Sequence, residues 1–410
     1  MSEAAPATAS GSTYRTASTG LTRDLNRAAI FRIIGASGPI ARTHIARRLG
    51  LSPATVTAVT RELLDQGLVR VAERTQPRRG RPALLLELVG GAAAAFGVKV
   101  APDHLVGVLV DIEADVQQRF EEPFDATASG AIERLGDVLA GWIVTASPSA
   151  PLLGLGLGVS GVVDGLTGQL DSPMLGWRGV PLARILQERL GLPVFADNDV
   201  NTLAISERLY GRGREADNFI TVTIGAGVGL GIVAGGDIYR GYRGGAGELG
   251  HTTAIGGGAP CRCGKQGCLE TVVSDPALVA EAHRCDLLPD TGGIEQLREL
   301  ADAGDRTARA LFADAGAALG RAVADVANVL SPELVLVSGE GTQAWEHLAK
   351  SFAESFQATL FSPLAGIPIE VDPWDDARWA VGAATLVLRA SFAAPLDEER
   401  PADVRMGVVA

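Results

Sequence analysis

One short segment, residues 248–270, constrains the fold of this chain more than any other stretch. It carries three of the four cysteines, Cys261, Cys263 and Cys268, which follow His251 by ten to seventeen residues. One imidazole and three thiolates make up the tetrahedral nitrogen and sulfur ligand set that a structural zinc ion prefers. The segment therefore predicts a metal-clamped loop that holds its flanking residues in fixed positions.

Two glycines inside the segment, Gly264 and Gly267, let the backbone turn tightly enough to bring the three sulfur atoms together. Buried free cysteines are the alternative interpretation. A disulfide is disfavoured, because cysteines are sparse and the chain shows no signal peptide. We predict one closed, structural Zn²⁺ site per chain, and we expect Cys285, which lies outside the cluster, to be an ordinary buried thiol.

Length and composition indicate a globular α/β protein. With 410 residues, 47% of them apolar and only 5% aromatic, the chain is long enough for two or three domains with cores of their own. No apolar run reaches the length of a membrane span without glycine or a charge. We therefore expect a cytoplasmic protein with no membrane association.

The net charge of −12 is distributed unevenly along the chain. Residues 1–90 contain 13 arginines, no lysine and 6 acidic residues, for a net charge of +7, whereas the remainder carries −19. A basic first quarter on an acidic body suggests that only the amino-terminal part meets a polyanion. An arginine-rich surface without a partner is the alternative.

The amino-terminal part reads as three short helices. Residues 1–20 are small and polar, and we expect a flexible tail. The first helix carries a predicted apolar face, which consists of Leu21, Leu25, Ala28, Ala29 and Ile33. A second helix covers Ala41–Leu49. A third begins at Pro53 with Ser52 as its N-cap, buries Val56, Val59, Leu63 and Leu64, and ends near Gly67.

Two short helices joined by a tight turn, followed by two strands, are typical of a winged helix-turn-helix. The strands lie on either side of a basic hairpin that fits a minor groove. The candidate DNA-binding residues are small, hydroxyl-bearing or basic: Ser52, Thr55, Thr57, Ala58 and Arg61 on the third helix, and Arg78, Arg79 and Arg81 in the hairpin. A helical dimerisation module is the alternative.

After Gly90 the pattern changes to alternating strands and helices. Phe96–Val100 and Leu105–Asp111 predict a hairpin, a helix follows over about residues 126–146, and Leu152–Val159 predicts a buried strand. Polar residues follow the strand that begins near Pro193, and residues 221–231 form a glycine-rich strand pair. Ligand loops at strand ends are characteristic of α/β folds.

The metal segment also carries a family signature. Glu248-x-Gly-His251, followed by Cys261-x-Cys263-Gly-x-x-Gly-Cys268-Leu-Glu270, resembles the hallmark of the ROK family, which groups repressors, open reading frames and sugar kinases. Weaker similarity extends over most of residues 20–390. The resemblance implies an α/β fold in which the winged helix-turn-helix is followed by a two-lobed domain of the actin-like, sugar-kinase type, with a cleft between the lobes.

The expected domains follow from this resemblance. They are a tail at 1–20, the winged helix-turn-helix at 21–90, the first lobe at 91–205, the second lobe with the zinc segment at 206–377, a helix returning to the first lobe at 378–392, and a tail at 393–410.

The resemblance also implies the effector contacts. The family's sugar-binding residues correspond to Gly161, Asn198, Asp199, Glu248, His251 and Glu270. Carboxylates and amides suit neutral sugars, because they accept from and donate to adjacent hydroxyls. Helix capping is the alternative role for Asn198 and Asp199, and a solvated acid is the alternative for Glu270. His251 is expected to use one ring nitrogen for zinc and the other for the sugar.

The same resemblance separates a kinase from a sensor. In related kinases Asp199 would be the general base, and an Asp-x-Gly-Gly-Thr hairpin would bind phosphate. Here Lys99–Asp103 occupies that hairpin, where Pro102 lacks an N–H to donate and Asp103 repels phosphate. The hairpin thus lacks the parts that phosphate binding needs, and Asp199 is interpreted as a vestigial base.

The sequence therefore predicts a sugar-responsive transcriptional regulator, a repressor of carbohydrate-utilisation genes. Its expected partners are double-stranded operator DNA, a monosaccharide or sugar-phosphate effector, and further copies of the chain in a homodimer or homotetramer. Two alternatives remain: an ATP-dependent hexose kinase with a fused DNA-binding domain, and a DNA-binding protein whose cleft is only scaffold.

Overall fold

The amino-terminal unit is a three-helix winged fold. We describe a computed structural model that covers residues 19–72, 84–372 and 375–393. The first elements are α1 (Thr19–Ser37), β1 (Ile40–Ala41), α2 (Arg42–Leu49), α3 (Pro53–Asp65), β2 (Val69–Val71) and β3 (Leu85–Leu88). The second and third helices and both strands of the predicted wing are confirmed. Strand β1 was not predicted; it pairs with β3, so the sheet has the order β1-β3-β2.

The local signals around α3 explain why it forms. The Ser52 hydroxyl accepts a hydrogen bond from the Thr55 N–H at 3.1 Å, which satisfies one of the free donors at the helix start. Val56, Val59 and Leu63 are buried, as predicted, and Leu64 is partly buried. The basic tip of the wing, with Arg78, Arg79 and Arg81, lies outside the described residues.

The predicted apolar face of α1 agrees only in part with the structure: Ala28 and Ala29 are partly buried, and the side chains of Leu21 and Leu25 are not among those described. The buried face carries Ile30, Phe31 and Ile34 together with Arg27, whereas Ile33, from the predicted face, is only partly buried. The most buried face of the helix thus includes the charged Arg27.

Arg27 is buried because polar groups on α3 and at its C-cap accept hydrogen bonds from its guanidinium. Its Nη1 donates to Glu62 Oε1 at 2.9 Å and its Nη2 to Gln66 Oε1 at 2.6 Å. A buried charge requires such partners, and a hydropathy pattern does not reveal them.

A five-stranded sheet forms the first half of the larger domain. Its elements and their neighbours are β4 (Ala94–Val100), β5 (His104–Asp111), β6 (Val116–Pro123), α4 (Ala131–Ala146), β7 (Leu152–Val159), β8 (Val162–Val163), β9 (Leu170–Ser172), β10 (Trp177–Val180), α5 (Leu182–Leu190), β11 (Val194–Asn198) and α6 (Asp199–Leu209). The sheet order is β11-β7-β4-β5-β6, and β8, β9 and β10 form a small separate sheet. The predicted hairpin and buried strand are confirmed, the helix begins at Ala131, and β6 was not predicted.

A second five-stranded sheet, of order β14-β13-β12-β15-β16, forms the other half. Its elements are β12 (Phe219–Ile224), β13 (Val228–Ala234), β14 (Asp237–Ile238), α7 (Glu270–Val273), α8 (Asp275–Arg284), α9 (Ile294–Asp302), α10 (Arg306–Leu330), β15 (Leu334–Ser338), α11 (Trp345–Thr359) and β16 (Ile369–Val371). Helices α7 to α11 cover this sheet with a large apolar core.

The last helix, α12 (Asp376–Ala393), packs directly on the first sheet. The contact requires glycine: a Cβ at Gly97 would lie 2.0 Å from the Ala380 carbonyl oxygen, and one at Gly156 would lie 1.8 Å from that of Ala383. Apolar residues of α1, β3, the first sheet and α12 form one continuous core. The winged unit therefore rests on the sheet through α12.

Within the same three ranges, no helix combines the length and apolar character needed to cross a bilayer.

Candidate functional site

A cleft of about 780 Å³ opens between the two five-stranded sheets. Residues from β4, the loop after β7, the start of α6, the turn between β12 and β13, and the cysteine segment line it. It brings together all six residues predicted to contact an effector, namely Gly161, Asn198, Asp199, Glu248, His251 and Glu270.

Asn198 is the N-cap of α6, as its alternative interpretation stated. Its Oδ1 accepts from the N–H groups of Val200 at 2.9 Å and Asn201 at 3.1 Å, and its Nδ2 donates to the Gly161 carbonyl at 3.0 Å. Nδ2 has a second N–H, so Asn198 can both hold the loop at Gly161 and donate to a ligand.

Asp199 begins α6 and faces the cleft. Burial raises the pKa of its carboxyl from 3.8 to about 6, the charge of Lys99 opposes that rise, and Glu340 adds to it. Its Oδ1 accepts from the Val200 N–H at 2.9 Å. At neutral pH the carboxylate is an acceptor in a poorly hydrated place, where a hydroxyl donor would replace lost water.

The predicted metal ligands converge. One ligand atom from each of His251, Cys261, Cys263 and Cys268 lies within 4.8 Å of all the others. Zinc–ligand distances of about 2.3 Å to sulfur and about 2.0 Å to nitrogen give tetrahedral edges of about 3.8 Å between sulfurs and about 3.5 Å from nitrogen to sulfur. The Cys263–Cys268 Sγ separation is 3.6 Å and that from His251 Nδ1 to Cys261 Sγ is 3.5 Å. The four groups therefore fit a tetrahedral metal ion.

The two glycines of the segment adopt the conformations that the sequence predicted. Gly264 has φ +90° and Gly267 φ +69°, and a Cβ at Gly267 would lie 1.6 Å from the Ile255 carbonyl oxygen. The prediction for Cys285 is wrong: it is exposed, because it follows the last turn of α8 on the surface side.

His251 faces two directions. Its Nδ1 points to the cysteine cluster, and its Nε2 lies 3.8 Å from Glu248 Oε2 on the cleft side. Partial burial raises the pKa of the Glu248 carboxyl, His251 opposes this, and Glu270 adds to it. The metal cluster and the cleft thus share one imidazole.

Glu270 has a partner that sequence reasoning missed. It is buried, with 9% of its side chain exposed, and its Oε1 lies 3.2 Å from Nε of Arg262. Arg262 stands between two of the cysteines, so the metal loop directs it into the cleft. Its place in the Cys-x-Cys motif was the available signal.

A second missed feature occupies the position of the predicted degenerate hairpin. Lys99 Nζ lies 3.0 Å from Glu340 Oε1 and 2.7 Å from Asp376 Oδ1, and 4.8 Å from the Trp379 ring centre. Burial lowers the pKa of the Lys99 ammonium, but Glu340 and Asp376 together raise it above its ordinary value. Lys99 therefore links the first sheet, the second sheet and α12 at the floor of the cleft.

Two further ion pairs join the halves. Arg240 donates to Asp197 Oδ2 from Nη2 at 2.6 Å and from Nε at 2.8 Å, and Arg243 Nε donates to Asp164 Oδ2 at 2.6 Å. Both arginines follow β14, whereas both acids belong to the first half. No local pattern in the sequence indicates either pair.

The candidate DNA-binding residues lie at the start and on the outer side of α3. Ser52, Thr57, Ala58 and Arg61 are exposed, and Thr55 is partly buried with its Oγ1 2.8 Å from Ser52 Oγ. Arg61 forms no ion pair with any residue that the structure describes. Its guanidinium is thus available on the surface.

Comparison with protein-family models gives two matches. Residues 95–390 match the ROK family and residues 25–80 match the MarR family, which corresponds to the winged helix-turn-helix.

Two curated relatives match nearly the whole chain. The xylose repressor of Caldicellulosiruptor bescii is 28% identical over 386 residues, which cover 90% of this chain and 96% of the relative. The DNA-binding transcriptional dual regulator NagC of Escherichia coli is 28% identical over 381 residues, covering 90% and 94%.

Solved structures include both regulators and kinases. A ROK family transcriptional regulator described as a homolog of the E. coli MLC protein has a TM-score of 0.79 at 25% identity and covers 91% of this chain and 97% of its own. A ROK family glucokinase from Streptomyces griseus, in complex with glucose and AMPPNP, has a TM-score of 0.63 at 28% identity, covering 72% and 98%. With a family model that spans most of its length, a winged helix-turn-helix and a sugar-kinase-like α/β domain, the chain belongs to the ROK family.

Proposed function

We propose that the chain is a sugar-responsive DNA-binding transcriptional regulator that represses carbohydrate-utilisation genes. The observation that carries this proposal is the packing of a winged helix-turn-helix, through α12, onto a domain whose cleft is lined with hydroxyl-binding groups. The relatives named as repressors support it.

In this proposal a monosaccharide occupies the cleft. The carboxylates of Asp199, Glu248 and Glu270 accept from its hydroxyls, and the free N–H of Asn198 donates. Gly161, held by Asn198, lets this loop pack closely against the chain at Asp171, since a Cβ there would lie 2.5 Å from the Asp171 carbonyl oxygen. His251 Nε2 faces the same space.

We assign a structural zinc ion, one per chain, to His251, Cys261, Cys263 and Cys268. The ion would fix the loop that carries Arg262 and the two ends at which Glu248 and Glu270 lie. Its proposed role is positioning, because all four tetrahedral positions would be taken by protein ligands.

Phosphoryl transfer is not part of the proposed function. Three features argue against a site for the phosphates of ATP: the paired ammonium of Lys99 between Glu340 and Asp376, the missing N–H of Pro102, and the charge of Asp103. A coupled assay for ADP formation with common hexoses tests this. Sustained turnover with any hexose would favour the kinase alternative. The similarity to the ROK family glucokinase is the observation that supports this alternative.

The proposed DNA contacts are Ser52, Thr55, Thr57, Ala58 and Arg61 in the major groove and Arg78, Arg79 and Arg81 of the wing in the minor groove. Because helix-turn-helix proteins read paired half-sites, we propose a homodimer or homotetramer. Sedimentation analysis of the full chain tests the oligomeric state.

The decisive experiment measures both activities in one sample. Duplexes selected from a random pool by the full-length protein are titrated by fluorescence anisotropy, with and without each member of a sugar panel. A sugar that changes the DNA affinity at least fivefold supports the proposal. DNA binding that no sugar alters would favour a cleft that is only scaffold, and absence of duplex binding would contradict the proposal.

A further inference from the structure

We infer that the cleft selects an uncharged sugar and discriminates against its phosphorylated form. The inference rests on the proposed function and names the chemical class of the effector. It depends on the charges that line the cleft and on how each positive charge is already paired.

The lining is acidic. Among the described residues that line the cleft, seven are carboxylates and only two, Lys99 and Arg262, are permanently positive. A sugar phosphate carries between one and two negative charges near pH 7. It needs cations or unpaired N–H donors to replace its hydration.

Both cations already face carboxylates. Lys99 has Glu340 and Asp376 within 3.0 Å, and Arg262 has Glu270 at 3.2 Å. His104 lies between Asp103, 2.8 Å from Nδ1, and Asp376, 3.5 Å from Nε2. A phosphate could recruit one of these groups only in competition with a carboxylate that already pairs with it.

The negative charge is concentrated around Asp199. The charge of Glu340 raises the pKa of both Asp199 and Asp275, and burial raises each to about 6. Asp199, Asp275 and Glu340 thus add negative charge to the region where Asp376 already pairs with Lys99, and Arg298 is a further cation that acts on Asp275. A phosphate there adds like charge where water screens it least, whereas a neutral hydroxyl donates to the same oxygens.

Calorimetry on the metal-loaded full chain with matched pairs tests the inference. Glucose is compared with glucose 6-phosphate, and N-acetylglucosamine with its 6-phosphate. At least one free sugar should bind ten times or more tightly than its phosphate. A phosphate that binds as tightly as its parent, or more tightly, would overturn the inference but leave the proposed function standing. No binding by any sugar would overturn both.

Salt and one variant supply readouts that test the electrostatic cause. Raising the salt concentration from 50 to 500 mM should strengthen binding of the phosphate, because repulsion is screened, and leave the free sugar nearly unchanged. Glu340→Gln should reduce the ratio of the two dissociation constants, that of the sugar phosphate to that of the free sugar, at least threefold. Glu354 is an exposed acid of α11, and the control variant Glu354→Gln should leave this ratio unchanged. If neither salt nor Glu340→Gln reduces the discrimination against the phosphate, these charges are not its cause.

Discussion

At the scale of single residues, Asp199 shows how a binding group can oppose folding. Its carboxyl has a pKa of about 6 in the folded chain and an ordinary value of 3.8, chiefly because burial disfavours the ionised form. The folded protein therefore binds more protons than the unfolded chain between these two values. Stability is lost as the pH rises through this window and is not recovered above it.

Asp199→Asn is accordingly expected to stabilise the fold at pH 7.5 by up to about 3 kcal/mol, the equivalent of the two-unit shift. The gain should disappear near pH 4, where the carboxyl is protonated. Urea unfolding at both pH values measures it, with the exposed Asp290→Asn as the control. Equal stability of Asp199→Asn and the parent at pH 7.5 would show that burial does not penalise this carboxylate.

The motif residues of the cleft were predictable, because strand ends and a cysteine cluster mark them in the sequence. Their partners were not. Lys99 meets Glu340 and Asp376, which lie 241 and 277 residues away, so only the closed fold brings these charges together. Arg262 is the intermediate case, since its motif position was visible but its direction was not.

At the scale of elements, the signals that succeeded were local. The cap at Ser52 located the start of α3, and short apolar runs located the buried strands. The buried face of α1 was predicted only in part, because it is set by tertiary contacts: apolar packing against α12 and the ion pair of Arg27 with Glu62. Strands β1 and β6 were missed because they are short or largely exposed.

The close packing of α12 on the first sheet leads to a prediction about stability. Gly156→Ala should destabilise the protein by about 1–3 kcal/mol, because the new methyl group would collide with the Ala383 carbonyl and push the helix from the sheet. Gly141→Ala is the matched control. It lies on the exposed side of α4 with open space around it, and it should stabilise by up to about 1 kcal/mol. Thermal unfolding compares the two variants. If Gly156→Ala is as stable as the parent, the close contact between the sheet and α12 is contradicted.

The metal loop leads to a second prediction, which concerns the loss of a metal ligand. Cys263→Ser should release the metal, and the affinity for sugar should fall about 10- to 100-fold because Glu248, Arg262 and Glu270 lose their fixed positions. Elemental analysis and calorimetry measure the two effects. Cys285→Ser, at the exposed cysteine outside the cluster, should change neither. Parent protein without bound zinc would refute the assignment of the ion.

At the scale of the whole molecule, two helices span the distance between the cleft and the winged unit. Helix α6 begins at Asp199, and α12 begins at Asp376, both beside the cleft. Near their other ends, Arg208 and Arg389 lie around the same small cavity as Arg32 of α1. Because α12 packs against both α6 and α1, a change at the cleft has a continuous packed route to the DNA-binding helices.

The direct contacts with DNA should come from the winged unit. Arg61→Ala is expected to weaken duplex binding and to reduce the slope of log affinity against log salt by about 1, if the guanidinium neutralises one phosphate. Sugar binding by calorimetry should not change. Arg321→Ala, at an exposed position of α10, is the control for loss of a positive charge. An unaltered slope for Arg61→Ala would remove this residue from the proposed interface.

The response to sugar, in contrast, should require both ends of the molecule. A ligand shifts a conformational equilibrium only to the extent that it binds the two states unequally. Glu248→Ala removes a cleft carboxylate without touching α3, so duplex affinity in the absence of sugar should match the parent within twofold. Sugar at a concentration that saturates the parent protein should then no longer alter the duplex affinity of the variant. Anisotropy titrations with Glu354→Ala as the control separate these effects, and a full response by Glu248→Ala would place the effector outside the cleft.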